Sequence, residues 1–137
     1  MNRLLIILLL TSVVQTRLIA QSGRRHIDSM ITRVSGVSSD TDKIRTLALI
    51  SYAFVTTDYD SGIYYAQKGL ELAERVGWKK GKGMCYGDLS NMYRCKGMYP
   101  DALDFALKQL GEYEAINYRL GIAKANSNQK NCSAPAH

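Results

Sequence analysis

Apolar positions along the chain recur at steps of three and four, which predicts helices joined by short polar turns. Ile27, Met30, Ile31 and Val34 mark a short leading helix that ends near Gly36. The Ser38-Ser39-Asp40-Thr41-Asp42 cluster offers several N-caps, because each side chain can accept a bond from the free amides of a first helical turn. A helix follows, with Ile44, Leu47, Ala48, Ser51 and Val55 on one face to about Thr56, and its partner runs from Asp58 to Val76. Gly77 ends that pair. Lys80 to Lys96 carries Met84, Cys85, Leu89, Met92 and Tyr93 at helical spacing, and Gly97 supplies the left-handed residue that closes a helix. Tyr99-Pro100-Asp101 then opens a helix to about Asn117, since proline suits a first turn where its missing amide has no partner.

The plan repeats with a period of 40 residues. Tyr59, Ile63, Ala66, Lys68, Leu70 and Ala73 are answered by Tyr99, Leu103, Ala106, Lys108, Leu110 and Tyr113, and the register runs on through Gly81 and Gly121 without a gap. Two helices per repeat predict an all-α solenoid of stacked antiparallel hairpins, in which each unit buries its apolar face against its neighbours. The units are expected at residues 40–79 and 80–119, after a leading segment at 21–39. A third unit starts at Gly121-Ile122-Ala123, with a helix fragment over Ile122 to Lys130, and gives way to a polar tail. The apolar side of the preceding helix, with Leu103, Leu107, Leu110 and Tyr113, is then expected to stay partly open and to favour self-association through that end.

The first 20 residues follow a different pattern. Positive charge at Met1 to Arg3, an apolar run from Leu4 to Leu10, and Leu18-Ile19-Ala20-Gln21 have the layout of a secretory signal peptide cut after Ala20. Arg17 interrupts the run before the roughly 20 apolar residues that a membrane span needs. The expected location is therefore the periplasm or the cell exterior, with membrane contact only through an uncleaved signal segment.

Composition narrows the chemistry. The formal net charge is +6, and loss of Arg3 and Arg17 with the signal leaves +4 over 117 residues. The basic Lys79, Lys80 and Lys82 beside Trp78 read as a solvated linker, and export argues against nucleic acid as partner. Cys85 and Cys95 lie ten residues apart on one predicted helix, about 15 Å at the helical rise, too far for a disulfide. Cys132 falls in the tail, where it is free to cross-link chains. His26 and His137 are the only histidines, so no metal site, cofactor or catalytic arrangement is expected. Gly81-Lys82-Gly83 with Gly87 lacks a preceding strand and the spacing of a phosphate loop, and reads as a helix start. The nine tyrosines recur mostly at core spacing, which predicts packing.

The run from Leu89 through Tyr93, Gly97, Tyr99, Ala102 and Phe105 to Leu110 resembles the tetratricopeptide repeat, with Leu49, Ala53, Tyr59, Gly62, Tyr65 and Leu70 in the same places one period earlier. Thr57 stands where the family has a turn glycine, Gly62 where it has a buried alanine, and Gly69 and Gln109 where it has a small apolar residue. The first unit is accordingly expected to be the less stable. The long period, the export signal, Asp-Thr-Asp-Lys-Ile at 40–44 and Leu-Glu-Leu-Ala-Glu-Arg at 70–75 are similar to the exported arms of bacterial sensor histidine kinases and related regulators. The resemblance covers about Asp40 to Ala125 and implies a right-handed solenoid that recognises a protein or peptide without catalysis. It also implies the contact residues, on the first helix of each unit: Ile44, Leu47, Ser51 and Phe54, then Met84, Gly87, Asn91 and Arg94. The other reading is the sensory N-terminal part of a larger signal-transduction protein.

Expression in a bacterial host should yield a protein that begins near Gln21 and is recovered outside the cytoplasm. N-terminal sequencing checks this, and an intact Met1 on membrane-embedded protein is the contrary result.

Overall fold

The computed structural model describes residues 25–133, so the expected signal segment lies outside the described residues. Helix α1 covers residues 25–34. From residue 36 onward the chain forms a separate compact unit. It consists of α2 (Asp40–Ala53), α3 (Tyr59–Arg75), α4 (Lys79–Cys95), α5 (Tyr99–Glu114) and α6 (Arg119–Ser133). Each helix packs on the next, α2 also touches α4, and α4 touches α6. This is the all-α stack of antiparallel hairpins that the repeat predicts.

Three of the turns share one stop signal. Gly77, Gly97 and Asn117 have positive φ, of 67°, 76° and 51°. Around each, the following amide donates back across the turn: Trp78 to the Ala73 carbonyl, Met98 to Tyr93 and Tyr118 to Tyr113, all at 2.9 Å. The left-handed residue at each helix end lets two otherwise unpaired carbonyls find donors. The turn after α2 differs, because Thr57 is β-branched and does not take up positive φ. There the Thr57 and Asp58 amides both donate to the Phe54 carbonyl, and the Asp58 carboxylate caps α3 at the Ser61 amide.

A serine hydroxyl inside each hairpin shows what this does to the register. Ser51 Oγ donates to the Gly62 carbonyl at 2.8 Å, and Ser90 Oγ donates to the Ala102 carbonyl at the same distance. The intervals are 11 and 12 residues, so the first hairpin closes with one residue fewer. The second helices keep the 40-residue period, but α2 is offset by 39 from α4, and the gapless register does not hold there. Leu49, expected to match Leu89, is 60% exposed whereas Leu89 is 1% exposed, and Ile50, fully buried, takes the equivalent place. Phe54, not Ala53, corresponds to Tyr93: Phe54 stacks on Tyr65 with centroids 5.8 Å apart, as Tyr93 meets Phe105 at 5.2 Å.

The core lies between the hairpins and is built on close approach at small residues. Ile44, Leu72, Ala73 and Cys85 form one cluster with Leu70 and Trp78 against it. A Cβ on Gly62 would stand 2.7 Å from Met92 Sδ, and one on Gly69 would stand 2.9 Å from Cys85 Sγ. On α4, Gly83 and Gly87 give the same kind of room to the Tyr113 ring and the Gln109 amide of α5. Most tyrosines pack, as expected: Tyr113 is buried and Tyr65, Tyr86, Tyr93, Tyr99 and Tyr118 are half-buried, whereas Tyr52, Tyr59 and Tyr64 are exposed.

The C-terminal end is less open than its sequence suggests. Helix α6 runs to Ser133 and lies on α5 and α4, burying Gly121, Ala125 and Cys132. Asn128 Nδ2 donates to the buried Gln109 Oε1 at 2.9 Å, and Cys132 Sγ sits 3.6 Å from Ser90 Oγ. Cys132 is thus part of the packing, not a tail thiol free to cross-link. Asn126, Gln129, Lys130 and Ser133 of α6 correspond to the α4 positions that face α5, namely Tyr86, Leu89, Ser90 and Tyr93. They line a shallow hollow. These side chains are polar. Tyr113 is sealed, Leu103 and Leu110 are half-buried, and of that face only Leu107 is largely in water.

Gly83→Ala should push a methyl into the Tyr113 ring and lower stability by about 1–3 kcal/mol. Gly111→Ala meets nothing within 4 Å and should raise stability by about 0.5–1 kcal/mol through helix propensity. Urea unfolding of the two variants checks the contrast in sign.

Candidate interaction surface

The stack is asymmetric. Helices α2, α4 and α6, the first of each pair, touch along the row, whereas α3 and α5 do not touch each other. The free sides of α2, α4 and α6 therefore converge on one surface. The amended register identifies which residues share it. Arg45, Leu49 and Tyr52 of α2 match Met84, Asp88 and Asn91 of α4, and these match Lys124, Asn128 and Asn131 of α6.

Residues 15–116 match a protein family described as the SusR N-terminal TPR domain. The chain belongs to this family. A search of curated proteins and one of solved structures returned no match. The family match takes in α2 to α5 of this TPR domain, and α6 lies beyond it.

The structure separates the eight residues expected at the contact surface. Ile44 and Ser51 are fully buried, Leu47 is nearly so, and Gly87 is closed over by Gln109. These four are core positions. For the three on α2 the cause is the one-residue shift, which turns them toward α3 and α4. Gly87 is buried because α5 needs its missing side chain. Phe54 is half-buried and engaged in its stack with Tyr65. Met84, Asn91 and Arg94 are half-buried on α4 and remain available.

The residues missed on α2 are Arg45, Leu49 and Tyr52. Leu49 and Tyr52, each 60% exposed, put an aliphatic and an aromatic side chain into water one helical turn apart. Arg45 is held in place by Asp42 at 2.8 Å and by the Trp78 ring at 5.3 Å. The signal for the shift is present in the sequence: Ile50-Ser51 and Leu89-Ser90 are each followed three residues on by an aromatic, Phe54 and Tyr93, at a spacing of 39.

Asp88 is the unusual polar group of this surface. Its half-buried carboxyl makes no hydrogen bond or ion pair within the described residues, and burial pushes it up to about 7 while Lys124 of α6 pulls it back. Burial also pushes the Cys85 thiol up to about 12, with Asp88 adding to the effect, and the Tyr113 hydroxyl goes to about 12 for the same main reason. Both stay protonated at neutral pH. Among the described residues no group of His, Cys, Asp and Glu is placed to hold a metal ion. The remaining ionic contacts are structural: Lys82 pairs with Glu112 between α4 and α5, Lys96 reaches Asp60 of α3 at 2.5 Å, and Lys108 pairs with Asp104 within α5 at 2.7 Å.

A carboxyl raised in the folded state keeps a proton that the unfolded chain releases. Its contribution to stability therefore declines as pH rises from about 4 to about 7 and is constant above that. Melting temperatures of the wild type and Asp88→Asn should diverge over this window, the wild type losing ground as pH rises. Parallel profiles by circular dichroism would contradict the account.

Proposed function

We propose that the protein is a non-catalytic scaffold, exported from the cytoplasm, that recognises a protein or peptide segment along the free faces of α2, α4 and α6. The observation that carries this reading is the exposure of Leu49 and Tyr52, two large side chains on the side where the first helices converge. Water contact for paired apolar groups is unfavourable, and a partner that covers them gains about 25 cal/mol per Å² of apolar area. Met84, Asn91 and Arg94 extend the same surface across α4 with an apolar, an amide and a cationic group. A preformed helical face binds without reordering its backbone, which keeps the entropic cost of association low. Membership of a TPR family supports interaction rather than catalysis. Export rests on the N-terminal apolar run, and no described helix is long and apolar enough to cross a membrane.

A second reading, the sensory portion of a larger signal-transduction protein, is supported by the description of the matching family as an N-terminal domain. In that setting the same surface would report partner binding to whatever domain follows.

A photo-crosslinking residue placed at Tyr52 or Asn91 should give discrete adducts in the source cell. The same residue at Tyr64, which is exposed on α3, should give none. Equal adducts from position 64 would move the contact surface to the second helices.

A further inference from the structure

We propose that Asp88 seats a cationic side chain, lysine or arginine, of an extended partner segment whose neighbouring apolar side chain lies on Leu49 and Tyr52. This rests on the reading of α2, α4 and α6 as the contact surface. Three observations meet at this place. Asp88 sits in the middle of α4, half-buried, with no donor from the protein within hydrogen-bond or ion-pair distance among the described residues. Lys124 on α6, Cys85 on the same helix and Tyr113 on α5 are the titratable groups that sense it or act on it, and none closes on its oxygens. At the equivalent position on the adjoining helix stands Leu49, with Tyr52 one turn further on.

Packed helix axes lie about 8–10 Å apart. An extended segment rises about 3.3 Å per residue and puts alternate side chains on one face, about 6.6 Å apart. Side chains two positions apart in the partner, each adding its own reach, therefore span the interval from the α2 row to the α4 row. A carboxylate that has lost much of its water regains stabilisation only from a charge or donor brought to it, whereas an acidic partner group would meet repulsion there. The cation of the α2 row, Arg45, is already occupied by Asp42 and Trp78. Lys124 is exposed and hydrated and has nothing comparable to gain. The favoured ligand is thus a short peptide with a basic residue two positions from an aromatic or branched aliphatic one.

The test is selection of a random peptide library displayed on phage against the isolated protein, followed by affinity measurements on the selected peptides with Asp88→Asn, Asp88→Lys and Tyr52→Ala, each checked for folding by circular dichroism. The wild type should enrich peptides with lysine or arginine at that spacing. Asp88→Asn should weaken them tenfold or more, Asp88→Lys should select aspartate or glutamate at the same position, and Tyr52→Ala should weaken binding while leaving the basic preference intact. Peptides that depend on Tyr52 but carry no basic residue, or bind Asp88→Asn equally well, overturn the role of Asp88 and leave the contact surface standing. Enriched peptides indifferent to Tyr52→Ala, or no enrichment at all, overturn both.

Discussion

Close approach of helices at residues without a side chain is the constraint on which the rest of this structure depends. Gly62 and Gly69 of α3 receive Met92 and Cys85 from α4, and Gly83 and Gly87 of α4 receive Tyr113 and Gln109 from α5. Each glycine costs its helix about 1 kcal/mol of propensity relative to alanine. In return a large neighbour is seated against backbone, and packing density is kept where a Cβ would force the helices apart. The direction is the same along the stack, since α4 inserts side chains into α3 on one side and accepts them from α5 on the other. Helix α4 therefore ties the two hairpins together, and the most buried groups of the protein gather around it.

Polar groups inside this packing are satisfied locally. The Ser51 and Ser90 hydroxyls each donate to a carbonyl of the partner helix, and Gln109, buried among α4, α5 and α6, accepts from Asn128. No buried side-chain nitrogen or oxygen among the described residues lacks a partner. Asp88 differs because it lies at the edge of the packing, crowded enough to lose water yet still reached by it. The feature that makes it unfavourable in the isolated protein makes it useful to a ligand that supplies the missing charge.

Much of the architecture was legible in the chain. Helical spacing of Met84, Cys85, Leu89 and Met92, the left-handed stops at Gly77 and Gly97, and the proline in the first turn of α5 each act within a few residues and leave their mark in sequence. The repeat itself is legible for a related reason: units that pack on copies of themselves need the same residue types in the same places. The identity of the α2 contact residues was less accessible. Thr57 in place of glycine was visible as a departure, but not that the hairpin would close with one residue fewer and rotate α2 by about 100° relative to the simple repeat.

Sequence by itself determined the elements, their order, the 40-residue plan and membership of a helical repeat family, because periodicity and turn chemistry are local properties. Tertiary structure alone decided which side of each helix is covered. Leu49 and Leu89 look alike in the chain, yet one is in water and the other in the core, since burial depends on what stands opposite. The same holds for α6, whose polar residues from Asn126 onward read as a tail. Its few small residues, Gly121, Ala125 and Cys132, nonetheless fall on one side and fit the space that α4 and α5 leave. A face of a helix acquires its role from its neighbours, and those are fixed only when the turns have set the register.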